Sequence, residues 1–286
     1  MNFRTSSLAL ALLASASALL LPNIAHAGVV GHYNACTGQG NAAMANAITA
    51  AGHTPVDIAT PDATSLAALD VLMVNRSYCD ATEYMANLPA ITSAVQGGMV
   101  LLMHDRIVAE PGYVSAANAL PGAAAISFTV SYSSNIDFPA GSPLLTGPGG
   151  TLTNTTLDGG NYSNHGYAAA SGSMPAGSSI QANNGNPAQA VNFTYPYGGG
   201  AVVYSTIPLD FYIGGSSAFS TQYAPNVIAW AVTQSDQFVS CAAEGFTGIK
   251  LTLCRQICEL PQSPATLAAL IKTYMAAFRQ EPPCAR

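Results

Sequence analysis

An apolar run from Met99 to Met103 follows a Gly97-Gly98 pair and stops abruptly at His104, Asp105 and Arg106. An imidazole beside a carboxylate is a combination that can act as a general acid and base or as two metal ligands. Other apolar runs end in similar chemistry: Val71–Val74 in Asn75 and Arg76, and Val202–Ile207 shortly before Asp210. His165, in the stretch Asn161 to Tyr167, could reach the same place from a long polar excursion. His104, Asp105, Asp210 and His165 are therefore the catalytic candidates, and Asn75, Arg76, His104 and Asp105 the binding candidates. Adjacent strand residues point to opposite faces, so His104 and Asp105 share one ligand only if a turn separates them. Asp105 and Arg106 could equally form a local ion pair. Neither a Gly-x-Ser-x-Gly nor a His-x-x-Glu-His pattern occurs, and no metal site or cofactor is expected.

These groups need elements to hold them. Continuous apolar runs suit strands buried on both faces of a parallel sheet. The expected strands are 29–33, 54–59, 69–75, 99–103 and 125–130, with helices at 41–51, 82–96 and 114–120 between them. Pro89 should kink or break the second helix. Strand and helix alternating at short spacing argue for βαβ units. From Ser133 to Ala182 the pattern dissolves into Gly, Ser, Asn, Thr and Pro, consistent with short strands and an excursion over one sheet end. A hairpin follows, 188–194 and 201–207 around Tyr195-Pro196-Tyr197-Gly198-Gly199-Gly200, and 223–232 closes the domain as a helix. Ligands of such open sheets bind beyond the carboxyl ends of the strands, which is where the polar groups above would stand.

The first 27 residues read as a secretory signal: Arg4, then Leu8 to Leu21, then Ala25-His26-Ala27. No later stretch is long and apolar enough for a membrane span. The expectation is a secreted or periplasmic protein, with an α/β domain over 28–235 and a separate tail over 241–286. Only 8% of residues are charged and the formal charge is −6, so the chain lacks the basic footprint needed for nucleic acid or anionic membranes.

Six cysteines, Cys36, Cys79, Cys241, Cys254, Cys258 and Cys284, all lie in the exported part, where disulfides are the default. Cys36 and Cys79 follow the first and third strands, neighbours in a 2-1-3-4-5 sheet, so a bond between them would staple the crevice. Were either thiol free, His32 or His104 could activate it. Gly38-x-Gly40-x-x-Ala43, with Asp57 beyond, imitates a dinucleotide fingerprint. An exported protein rarely meets free NAD, and glycines there also serve a tight strand-to-helix turn. The four tail cysteines frame two helical patterns, 247–260 and 264–279, the second carrying Leu267, Leu270, Ile271, Tyr274 and Phe278. So small a hairpin needs disulfides to stay folded, and their pairing cannot be read from spacing.

The Gly-Gly strand ending in Met103-His104, then Ser142-Pro143-Leu144-Leu145, then Tyr197-Gly198-Gly199-Gly200-Ala201-Val202-Val203-Tyr204 resembles the class I glutamine amidotransferase-like superfamily, in its trehalose-utilisation-like branch. The resemblance implies a flavodoxin-like three-layer sandwich with a mostly parallel sheet, to which the helical hairpin is appended. It also implies a Cys nucleophile after the central strand, where this chain has His104-Asp105, so the amidotransferase activity does not carry over. Tyr162, Tyr167, Tyr195, Tyr197, Tyr204 and Tyr212 cluster in the second half of the domain. Tyr with Asn and Gly makes an adaptable polar contact surface, although Tyr is also an ordinary strand former. The reading is a non-enzymatic, exported binding or surface-associated protein whose partner is a glycan, a small molecule or another protein. The alternative is an extracellular hydrolase or carbohydrate-active enzyme using His104 and Asp105. A purely structural role in an extracellular assembly would rest on the tail and the low charge.

Overall fold

The computed structural model describes residues 27–35, 41–79, 81–237, 241, 246–258, 264–280 and 282. The proposed signal peptide up to residue 26, the Gly38/Gly40 turn, Cys36 and Cys284 lie outside the described residues, as does the side chain of Cys258. No helix among the described residues is long and apolar enough to cross a membrane.

The first half is a run of βαβ units: β1 (Val29–Asn34), α1 (Asn41–Ala50), β2 (Thr54–Asp57), α2 (Ala63–Leu66), β3 (Val71–Arg76), α3 (Thr82–Gln96) and β4 (Val100–Asp105). A short α4 (Ala116–Ala119) leads to β5 (Phe128–Ser133). The polar excursion holds a two-stranded ribbon, β6 (Thr146–Gly147) and β7 (Gly150–Thr151), then β8 (Asn164–Ala169) and β9 (Ser179–Asn183). The hairpin β10 (Gln189–Tyr197) and β11 (Gly200–Ser205) follows, then α5 (Leu209–Tyr212) and α6 (Ala224–Gln237), the latter entered through a π-helical turn at Phe219–Tyr223.

The main sheet runs β2-β1-β3-β4-β11-β10-β8-β5, with β9 also on β10. Its five-strand centre, β2-β1-β3-β4-β11, is parallel; the 2-1-3-4 part is as expected, but the fifth place belongs to β11, and the strand expected there, β5, lies at the opposite, antiparallel edge. Beyond β11 the sheet continues antiparallel through β10, β8, β9 and β5. That extension has a simple cause. No crossover helix separates β8, β9 and β10, and strands joined by loops pair antiparallel. Helix α3 continues as one element through Pro89 instead of breaking there. The strand expected at 125–130 starts three residues later, because Ala123–Ile126 is a turn closed by Ile126 N–H donating to the Ala123 carbonyl at 2.8 Å.

Two cores lie on opposite faces of the sheet, which makes the domain a three-layer sandwich. Val30, Val71, Met73, Val100, Leu102, Ala201 and Val203 face α1 and α6. Leu72, Val74, Leu101, Met103 and Val202 face α3 and α4. The strict alternation along β4 decides the fate of its last two residues: His104 belongs to the α6 face and Asp105 to the α3 face.

The tail forms α7 (Gly248–Cys258) and α8 (Pro264–Phe278), packed on each other around Cys241, Cys254, Ile257 and Tyr274. Cys241 and Cys254 are disulfide-bonded, with Cα atoms 5.7 Å apart. Cys79 is also disulfide-bonded, so no described cysteine is a free thiol.

Candidate binding site at the carboxyl ends of the strands

Asp105 is fully buried, and it does not pair with the adjacent Arg106. It accepts from Arg76 Nη1 at 3.2 Å, from the Tyr204 hydroxyl at 3.1 Å and from the Ile107 amide at 2.8 Å. Parallel register sets Arg76 opposite Asp105 on the neighbouring strand, which is why the two meet. Arg76 also donates to the Val114 carbonyl. This arrangement is a buried structural pair, with both side chains at 0% exposure.

His104 sits in a different layer. The register aligns Asn75, His104, Ser205 and Asn192 across four strands on the α6 face. His104 Nε2 lies 3.2 Å from the Tyr223 hydroxyl, which also receives a hydrogen bond from Asn192 at 3.0 Å and donates to Ser205 at 3.1 Å. Asn75 is 2% exposed and faces the same layer. His104 and Asp105 are thus separated by the sheet itself, and neither reaches the surface.

Burial pushes the His104 imidazole down to about 3. The folded protein therefore keeps it neutral where an unfolded histidine, near about 6.5, already takes up a proton. The unfolded state binds more protons in that window, so stability present above about pH 6.5 is lost as the pH falls toward about 3. Between about pH 6.5 and 5 the loss due to His104 is about 2 kcal/mol. Urea titrations at both pH values should show His104→Gln losing less stability than the parent by about that amount. Parallel pH profiles for the two proteins would show that His104 is not held neutral.

The outward-facing group is built from other residues. Arg106, just past β4, forms an ion pair with Asp210 of α5 at 3.3 Å. Its guanidinium carbon lies 5.3 Å from the ring centre of Tyr78 and 5.3 Å from that of Phe211, so it is held between two aromatic faces. Burial raises the Asp210 carboxyl, while Arg106 and a Ser77 hydrogen bond oppose the rise. His165, from β8, also reaches this place. Its Nδ1 is 3.2 Å from the Tyr78 hydroxyl. Burial, reinforced by the Arg106 charge, lowers its pKa to about 4, so the ring is neutral at physiological pH.

Around His165 the rings close up: Tyr132 at 5.0 Å, Tyr78 at 6.2 Å and Tyr162 at 6.2 Å between centroids, with Tyr132 and Tyr162 themselves 5.0 Å apart. Tyr113 packs against Tyr78 at 5.9 Å, with the ring planes tilted by 50°. The Tyr132 hydroxyl donates to Glu110, and that bond is the main reason its pKa rises. Tyr78, Tyr113, Tyr132, Tyr162 and Phe211 are each 38–48% exposed. The dent between Arg106, Tyr162, His165 and Phe211 measures only about 20 Å³, room for about one water. The rim is a broad aromatic platform with a shallow floor.

The structure thus joins Arg76 to Asp105, and Arg106 to Asp210 and His165, while it keeps His104 and Asn75 apart from both groups. Sequence reasoning missed Tyr78, Tyr113, Tyr132, Phe211 and Glu110. Several of these follow the carboxyl end of a strand by a few residues, and that placement was the signal available. Among the described residues no group of three or more His, Cys, Asp or Glu is arranged to hold a metal ion.

No family profile matches the chain, and no curated protein matches it either. Among solved structures it is similar to a cytoplasmic protein from Salmonella typhimurium, at 12% identity and a TM-score of 0.47, covering 71% of this chain and 98% of that one. It is also similar to a GMP synthase-like protein from Thermoplasma acidophilum, at 12% identity and a TM-score of 0.46, covering 73% and 94%. A ThuA-like protein from Bacteroides uniformis is similar at 9% identity and a TM-score of 0.40, covering 73% and 92%.

Proposed function

We propose that this chain is an exported, non-enzymatic binding protein whose ligand is a glycan held on the aromatic rim. One observation carries the reading: five half-exposed aromatic side chains surround Arg106 and His165 at the carboxyl ends of the strands. Exposed large aromatics gathered in one patch mark an interaction surface. Saccharide rings present C–H faces that lie against such rings, and hydroxyls that need both donors and acceptors at the edge. Arg106 supplies donors there and the exposed tyrosine hydroxyls both donate and accept, while the buried Asp210 neutralises the arginine, which favours an uncharged ligand. A shallow floor suits binding along a chain better than enclosing a reacting bond.

The hydrolase alternative loses support from the burial of His104 and Asp105 on opposite faces of the sheet. Export accords with the leader-like first 27 residues and with disulfides in both parts of the chain. Cys36 is the natural partner of Cys79, whose sulfur lies 3.3 Å from the carbonyl oxygen of Ala35, the residue before Cys36.

The test is titration of the mature protein with neutral gluco-, manno-, galacto- and xylo-oligosaccharides. Retention of binding in Trp230→Ala, together with roughly tenfold weaker binding in Tyr132→Ala and again in Phe211→Ala, is expected. If no saccharide binds, or the rim variants bind unchanged, the reading is wrong. Turnover of any of these sugars that is lost in His165→Ala would install the hydrolase reading in its place.

A further inference from the structure

The backbone nitrogen of Gly28 stands among acceptors at the amino end of the central sheet. Its N–H donates to His53 Nδ1 at 3.2 Å. The Asp70 carboxylate reaches the same place: its Oδ2 accepts from the next amide, Val29, at 2.7 Å, and a Cβ built on Gly28 would stand 3.4 Å from that oxygen. Pairing fixes the backbone here, since Thr54 N–H donates to the Gly28 carbonyl at 3.0 Å and Asp70 N–H to the Val29 carbonyl at 3.0 Å. Gly28 is buried, while Ala27 before it is exposed. Position 28 has no room for a side chain, because its Cβ would lie 2.7 Å from Val232 Cγ1 on α6.

Charge makes this place unusual within the domain. Residues 28–235 contain two Arg and no Lys. Arg76 is paired with Asp105 and Arg106 with Asp210, and Asp70 belongs to no ion pair among the described residues. A part-buried carboxylate gains most from a cation, because hydrogen bonds between two ionised groups are about twice as strong as neutral ones. The side chains of the domain supply no such cation to Asp70. The backbone supplies one if the chain begins at Gly28.

The leader pattern ends at this same nitrogen, after Ala25-His26-Ala27. Hydrolysis by an export peptidase adds one water across the Ala27–Gly28 amide. The hydroxyl goes to the Ala27 carbonyl carbon, and the Gly28 nitrogen keeps the electron pair of the broken bond. That nitrogen takes the remaining proton of the water and the proton of the new carboxyl group, which gives a carboxylate and an α-ammonium. An α-amine titrates near about 8, so at neutral pH it is mostly charged.

We infer that Asp70 and His53 form a binding site for the α-ammonium of Gly28, so that removal of the leader locks the amino end of the sheet. One N–H keeps the bond to His53, and the new donors turn to Asp70. The precursor has a single N–H at this position and no charge to offer. This inference rests on the export reading and is independent of the glycan reading. Asp70 directly precedes β3, at the end of the strands opposite the aromatic rim.

Mass spectrometry of the exported protein should find Gly28 as its first residue. Thermal melts then compare three forms of the chain: one beginning at Gly28, one that retains Ala27, and one beginning at Gly28 with its α-amine acetylated. The first should melt about 3 °C above the other two. Asp70→Asn keeps an oxygen for the Val29 amide but loses the charge. It should lower the Gly28-first form most and bring all three within about 1 °C of one another, as a direct coupling requires. Equal melting of the free and acetylated forms overturns the inference. A gap that survives in Asp70→Asn also overturns it, because the amine is then held by something other than that carboxylate. Export with a different first residue overturns it through the cleavage position, whereas a protein that keeps its leader overturns the export reading as well.

Discussion

Asp105→Ala should destabilise the domain by about 3–5 kcal/mol, among the largest effects of any single substitution in the chain. The reason is the uncompensated guanidinium it leaves. Arg76 and Asp105 are both at 0% exposure, and water cannot reach the arginine once its partner is gone. Tyr204 would lose its acceptor and the Ile107 amide its carboxylate in the same change. A small stable domain has only about 5–15 kcal/mol in total, so the loss is a large part of it. Arg76→Met should cost a similar amount. The double variant Arg76→Met with Asp105→Leu should recover most of the loss, since apolar groups of similar volume often replace a buried ion pair without penalty. Urea unfolding of all four proteins checks this. A loss below about 1 kcal/mol for Asp105→Ala would mean the pair is hydrated. A catalytic Asp105 would behave differently: activity would vanish while the fold survived.

Cys79→Ser is expected to have the second large effect, and it should act on stability and ligand binding together. Cys79 is disulfide-bonded. With Cys36 as the partner, the bond closes a loop long enough that the unfolded chain gains about 4 kcal/mol of conformational freedom when it is cut. The residue before Cys79 is Tyr78, whose ring lies under Arg106 and against Tyr113 and whose hydroxyl bonds His165. Ala81, two residues after Cys79, holds a left-handed conformation at φ 48° to start α3. The staple therefore positions the rim as well as the rear of the turn. Cys79→Ser should lower the urea midpoint and weaken saccharide binding at least tenfold, while Cys254→Ser in the tail leaves binding unchanged. Peptide mapping under non-reducing conditions identifies the partner. Full ligand affinity in Cys79→Ser would show that Tyr78 is placed by its own packing.

Taken together, the expectations assign different work to neighbouring residues. Asp105 and Arg76 hold the sheet centre, His104 is buried on the opposite face, and Arg106 lies among the exposed tyrosines of the rim. Three consecutive residues at the end of one strand thus have three destinations. Residue type alone did not distinguish them, because each is polar and each ends the same apolar run.

What the sequence determined by itself was the architecture from β1 to β4. The runs Val71–Val74 and Val100–Met103 are apolar without alternation, which only a strand covered on both faces tolerates, and helical spacing filled the gaps between them. Local chemistry also marked the Tyr197–Gly200 turn and the two-helix tail. The antiparallel extension was not legible. Its strands β8 and β9 are rich in Asn, Gly and Ala, and they are strands because β10 offers them a free edge. The site was hidden for a related reason. Which carboxylate meets which arginine is set by register between strands distant in sequence, as for Arg76 and Asp105 across 29 residues and Arg106 and Asp210 across 104. Tertiary structure alone gathered Tyr78, Tyr113, Tyr132, Tyr162 and Phe211 into one surface. They come from separate loops and strand ends, and a contact between such elements leaves no periodic trace in the chain.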